Sequence, residues 1–258
     1  MQHKLPDELA AKIGGYSWQR ITLGQSQSRT YRLTGEGPDM YLKIQSLTAV
    51  ESLVGEKERL VWLQGTLPVP EVLFYGRDDA DEYMLITEIA GINASDKCYE
   101  SALPQLMQQL AYGLKAVHRV EIAGCPFDQR LDVKIKEAAG RVERQQVDED
   151  DFDEARKGFS ARELLKELQA TRPAAEDIVF THGDYCLPNI ILHGGKVSGF
   201  IDWGRAGLAD RYQDLALAVR SIRYNFGQEH VQAFLDAYGL AELDEDKIRY
   251  YQLLDEFF

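Results

Sequence analysis

One stretch constrains this chain more than any other: Thr181-His182-Gly183-Asp184-Tyr185-Cys186-Leu187-Pro188-Asn189, followed by Val197-Ser198-Gly199-Phe200-Ile201-Asp202-Trp203-Gly204. Two apolar runs, Ile190-Ile191-Leu192 and Val197 to Ile201, read as short strands joined by the turn His193-Gly194-Gly195-Lys196. Such a hairpin sets Asn189 at the start of one strand and Asp202 at the end of the next. Asp184, Asn189 and Asp202 are then expected to converge at one edge of the hairpin.

An Asp five residues ahead of an Asn, with a second Asp after a hairpin, is the layout of a kinase catalytic loop and its metal-binding loop. There the first Asp orients a substrate hydroxyl and accepts its proton. The Asn and the second Asp hold magnesium against the phosphates. The plain alternative is an Asx-rich turn region without chemistry, because Asp, Asn and Gly are common in turns.

At 258 residues the chain is long enough for one large domain or two lobes with a full core. Its hydrophobic share of 45% and charged share of 28% are ordinary for a soluble globular protein. No apolar run approaches the length of a membrane helix, and Met1 to Glu8 lacks the apolar core of a signal peptide. Cys98, Cys125 and Cys186 form no Cys-x-x-Cys pair, so reduced thiols in a cytoplasm are expected, with neither a zinc site nor a disulfide framework. A net charge of -13 without a Lys/Arg cluster argues against nucleic acid as a partner. The same charge suits a cationic small molecule, although many acidic proteins are merely well solvated.

Along the chain, Tyr16 to Leu23, Arg29 to Leu33 and Met40 to Ile44 alternate as strands. The loop Gly24-Gln25-Ser26-Gln27-Ser28 either lies over a phosphate or is a plain hairpin turn. On the third strand Tyr41 and Lys43 face one side and Leu42 the other. Helical spacing over 49–64 follows, and Glu56 and Glu58 are both candidates to reach Lys43. Leu67-Pro68-Val69-Pro70 closes that helix, because proline cannot continue it. Strands over 72–75 and 83–88 lead to a lobe boundary near Ala90–Gly91.

Helices are expected over 101–120, 131–147, 160–170, 210–224, 231–238 and 244–258, making the second half all-helical. Ser160 with Glu163 forms a capping box at the third of these. His118, near the end of the first, reads as a packed or capping residue. Asp148-Glu149-Asp150-Asp151-Phe152-Asp153-Glu154 places six carboxylates in seven residues, a pattern usually found on a solvated face. The apolar pair Phe257-Phe258 reads as a packed end of a helix.

These residues together resemble the aminoglycoside 3′-phosphotransferase family, antibiotic-resistance kinases with a protein-kinase-like fold. The resemblance runs from about Gly24 to Phe258. It rests on Val179 to Asp184, Asn189, Gly195 to Gly207, Asp214, Val219 to Arg223, Leu67 to Pro70 and the last nine residues. It implies an α+β, two-lobe fold: an N-terminal antiparallel β-sheet lobe with one helix over 1–90, and a mainly helical lobe over 91–258.

By the same resemblance Asp184 is the catalytic residue, and Asn189 and Asp202 bind Mg2+ beside ATP. Lys43, paired with Glu56, and Ser26 contact phosphates. Tyr41 stacks on adenine, Ile89 offers its backbone to the base, and Ile191 and Ile201 close the apolar slot. Arg205, Asp255, Glu256 and Phe258 line the aminoglycoside pocket, flanked by an acidic loop through Asp151 and Glu154. Clustered carboxylates would satisfy the ammonium groups of such a substrate by charge-assisted hydrogen bonds. The implied protein is a monomer or homodimer of the bacterial cytoplasm, without a membrane partner.

Two rivals stay open from the sequence. One is a kinase of the same fold for a macrolide, an amino alcohol or a sugar amine. The other is a nucleotide-binding regulator without catalysis, against which intact Lys43, Asp184, Asn189 and Asp202 argue.

Overall fold

The computed structural model describes residues 5–22, 28–240 and 242–258. Two compact units result, one from the described residues up to Ala90 with Ser198–Gly204, the other from Gly91–Val197 with Arg205–Phe258.

In the first unit α1 (Asp7–Ile13) precedes β1 (Ser17–Ile21), β2 (Arg29–Thr34) and β3 (Met40–Ser46). Helix α2 (Leu53–Leu63), β4 (Val72–Arg77) and β5 (Asp81–Thr87) follow. The five strands form one antiparallel sheet in the order β1-β2-β3-β5-β4. Strand alternation drives Met40, Leu42 and Ile44 into an apolar cluster with Leu9 and Ile13 of α1, Leu33 of β2 and Tyr83 and Leu85 of β5. Tyr41 and Lys43 therefore face away from that cluster. Helix α2 starts later than its spacing predicts, because the Ser52 hydroxyl accepts the Val54 N–H and ends the preceding turn.

The second unit opens with β6 (Ile92–Asn93), α3 (Leu103–His118), α4 (Leu131–Glu143) and α5 (Ala161–Ala170). Then come β7 (Ile178–Thr181), β8 (Ile190–His193) and β9 (Lys196–Phe200), the last carrying the chain into the first unit. Strand β10 (Gly207–Asp210) and helices α6 (Tyr212–Phe226), α7 (Val231–Tyr238) and α8 (Glu245–Asp255) complete it. Helix α3 packs on α7, α6 on α8, and α4 on α5. Their contacts are made by apolar stripes such as Leu106, Leu110, Leu114 and Val117 of α3. Ser160 caps α5 through the full capping box read from the sequence.

This half is not all-helical. Strands β7 and β10 pair antiparallel, Thr181 opposite Gly207. Asp210, expected to open a helix, ends β10 instead, fully buried. Its carboxylate accepts N–H groups from Asp177 at 3.0 Å and Tyr212 at 2.9 Å, and Lys247 donates at 2.6 Å. Cys98, Cys125 and Cys186 are not joined in disulfides. Among the described residues no helix is long and apolar enough to cross a membrane.

Candidate active site

Lys43 is the centre of the first unit's polar side. Its ammonium donates to both carboxylate oxygens of Glu56, at 2.7 and 2.8 Å, and also pairs with Asp202. Glu58, the other candidate, is exposed. Burial disfavours the ammonium, yet the Asp202 and Glu56 carboxylates outweigh it and its pKa moves upward. Glu56 is driven up by burial and held back mainly by Lys43, and it also accepts the Trp203 backbone N–H. That bond ties the segment carrying Asp202 to α2. Asp202 itself has φ +62°, a left-handed conformation that Asp tolerates better than most residues, and its side chain is half exposed.

Tyr41 lies on the same strand, paired with Arg32 on β2 and Ile86 on β5. Burial, with Glu88 nearby, raises its phenol pKa. Ile89 stands against Gly199, where a Cβ would lie 2.7 Å from the Pro68 carbonyl and 2.8 Å from the Ile89 side chain. Phe200 N–H donates to that same carbonyl at 3.0 Å, so Pro68 and Gly199 are built for close approach. Ile201 is partly buried in this unit, and Ile191 is buried on β8 of the other. Ser26 lies outside the described residues.

In the second unit the loop between β7 and β8 carries Asp184. A 3-10 turn over Leu187–Asn189 brings Asn189 back so that its Nδ2 donates to Asp184 Oδ2 at 2.8 Å and to the Asp184 carbonyl at 3.0 Å. The amide is thereby oriented, leaving Oδ1 as its acceptor atom. The fully buried Asp214 of α6 accepts the His182 and Gly183 N–H groups, each at 2.8 Å. His118 Nε2 lies 3.0 Å from the same carboxylate, and its Nδ1 lies 2.7 Å from the Tyr238 hydroxyl. In the sequence His118 reads as a packed or capping residue and Asp214 stands only within the resemblance, without a role; the structure joins the two through the Asp214 carboxylate.

Asp255 and Glu256 are held by arginines. Asp255 accepts from Arg205 at 3.2 Å and also from Arg220. Glu256 accepts from Arg156 at 3.3 Å and from the Asp153 backbone N–H at 3.1 Å, with Arg220 at 3.9 Å. Burial pushes its carboxyl up to about 7, against the pull of Arg156 and Arg220. The Phe258 ring is flanked by Lys134 at 3.2 Å, Arg141 at 4.4 Å and Arg205 at 6.0 Å. Burial lowers the Lys134 ammonium to about 8. Asp151 and Glu154 are both exposed, and Glu154 pairs with Lys157. Arg205 was expected here from the resemblance, and Arg220 stood inside the Val219 to Arg223 match without a role; Arg141, Arg156 and Lys134 carried no motif in the sequence and went unread.

A buried lysine held by carboxylates and an Asp–Asn loop anchored on a helix are features of a phosphoryl-transfer fold. The family model described as "Phosphotransferase enzyme family" matches residues 17–251. An aminoglycoside 3′-phosphotransferase of Niallia circulans is 40% identical over 255 residues, covering 98% of this chain and 97% of that one. A crystal structure of an aminoglycoside 3′-phosphotransferase of type VIII superposes with a TM-score of 0.89 at 38% identity, covering 97% of each chain. The aminoglycoside phosphotransferase APH(3'')-Id of Streptomyces rimosus, solved with ADP and streptomycin, matches with a TM-score of 0.83 at 31% identity, covering 96% of this chain and 95% of that one. The chain belongs to the phosphotransferase enzyme family and, within it, to the aminoglycoside 3′-phosphotransferases.

Proposed function

We propose that this protein is an antibiotic-resistance kinase that moves the γ-phosphoryl group of ATP to the 3′-hydroxyl of an aminoglycoside such as kanamycin. The observation that carries the reading is the full-length likeness to chains of that activity, at 40% identity. The geometry of the two polar centres supports it. Phosphoryl transfer passes through a loose transition state, so a protein accelerates it mainly by positioning and by neutralising charge.

In this reading Lys43 contacts the nucleotide phosphates and Glu56 holds it in place. Tyr41 stacks on the adenine, the Ile89 backbone meets the base edge, and Ile191 and Ile201 give the slot its apolar sides. Ser26 meets phosphate oxygens. Asp184, oriented by Asn189, positions the acceptor hydroxyl and takes its proton. Asn189 and Asp202 would supply an amide oxygen and a carboxylate, hard donors that suit magnesium. The bound ion supplies charge neutralisation at the phosphates.

Asp255, Glu256, Arg205, Phe258 and the loop with Asp151 and Glu154 form the aminoglycoside side of the reading. Dependence on ATP places the reaction in the bacterial cytoplasm, with the protein acting as a monomer or homodimer. The test is ADP release with kanamycin and ATP by the wild type and by Asp184→Ala. Loss of turnover with retained nucleotide binding supports the assignment, and wild-type turnover in the variant refutes it.

A further inference from the structure

Between α4 and α5 the acidic loop would be expected to spread, because like charges repel and few of its residues are apolar. It is instead fastened at three points. Phe152 is buried, only 3% exposed. Glu149 Oε1 accepts the Ala161 N–H at 2.8 Å, closing the loop onto the start of α5. The third point is Arg156, whose guanidinium joins three partners from two parts of the chain.

One nitrogen of Arg156 pairs with Asp153 and lies 3.3 Å from Glu256 Oε1. The other donates to the Arg249 carbonyl of α8 at 3.2 Å. Glu256 Oε2 in turn accepts the Asp153 N–H at 3.1 Å. The clasp is enclosed, with side-chain exposures of 13% for Arg156 and 4% for Glu256. A shielded, multidentate guanidinium–carboxylate contact is worth far more than an exposed ion pair. The carboxylates beside it, Asp150, Asp151 and Glu154, are exposed.

We infer that Arg156 is a positioning residue for the aminoglycoside: by clasping Asp153 and Glu256 it sets where the exposed carboxylates of the acidic loop stand. The inference rests on the proposed aminoglycoside reading. Lysine is a poor substitute, since one ammonium does not reproduce the fork that meets Glu256 and the Arg249 carbonyl together.

The test is steady-state kinetics of Arg156→Gln, Arg156→Lys, Glu256→Gln and the Arg156→Gln/Glu256→Gln double variant, with kanamycin and ATP. Arg156→Gln is expected to raise the kanamycin KM about 10-fold or more, as for loss of a charge-assisted bond that orders a binding loop. The ATP KM and kcat should stay within about two-fold, because uniform binding alone is lost. Arg156→Lys should fall between, and the double variant should cost little beyond either single one. An unchanged kanamycin KM, an equal rise in the ATP KM, or fully additive effects would overturn the inference. Hydrogen exchange over 149–159 separates this from failure of the function itself. Faster exchange in Arg156→Gln, in a wild type that phosphorylates no aminoglycoside, keeps the clasp and sinks the acceptor; unchanged exchange sinks the clasp.

Discussion

Asp214 Oδ1 accepts the backbone N–H of Gly183 at 2.8 Å, one residue before Asp184. Its other oxygen accepts the His182 N–H at 2.8 Å, so one buried carboxylate fixes both peptides that lead into Asp184. Asp214→Asn replaces one acceptor oxygen with a donor facing a donor. The loss is about 2–4 kcal/mol of stability, as for stranding buried donors. Urea denaturation and steady-state kinetics check it, kcat falling more than either KM. A kcat equal to wild type would show that the loop holds its own shape.

Gly183 is needed where it stands. Its φ is +84°, and a Cβ there would lie 2.2 Å from the Arg205 carbonyl oxygen. Gly183→Ala combines left-handed strain with a backbone clash, and about 3 kcal/mol or more of stability should be lost. Thermal denaturation gives the answer; a melting point within a degree of wild type would contradict the packing described.

Lys43 sits between two carboxylates and stays charged. Lys43→Met leaves Glu56 buried without its cation and, on the proposed reading, removes a contact to the nucleotide phosphates. An ATP kcat/KM lower by about 10²–10³ is expected, the range for losing one preorganised donor to a transition-state charge. The kanamycin KM should move far less. Equal effects on both substrates would place Lys43 outside the nucleotide site.

Glu256 gives the protein a pH signature. It faces Asp153, Arg156 and Arg220, and burial raises its carboxyl from an ordinary 4.5 to about 7. The folded state therefore holds this proton more tightly than the unfolded chain does. Its contribution to stability is complete below about 4.5 and is lost as pH rises to about 7. Relative to Glu256→Gln, the wild type should lose stability across that window and run parallel above it. Denaturation curves of both proteins from pH 4 to 9 check this; parallel curves throughout would contradict it.

Local patterns made much of the fold legible. Alternation over Met40 to Ile44 put Lys43 on the right face, and the Ser160–Glu163 spacing marked the start of α5. The paired strands β7 and β10 were not legible. Each is four residues long, and their partners lie far apart in sequence with no turn to announce them. The choice between Glu56 and Glu58 was settled by where Ser52 starts the helix, which sets the face each residue takes. The pairings of Arg156 with Glu256 and of Arg220 with Asp255 were not legible, because the partners are distant in sequence. The pairing of His118 with Asp214 was not legible for the same reason. Short-range periodicity carries no information about such pairings.

The central claim is phosphorylation at the 3′-hydroxyl of an aminoglycoside. It is tested most directly by ADP release from the purified protein with Mg2+ and ATP, comparing kanamycin with its 3′-deoxy analogue. Turnover is expected with kanamycin and none above background with the deoxy compound. Equal turnover of the two would contradict the account.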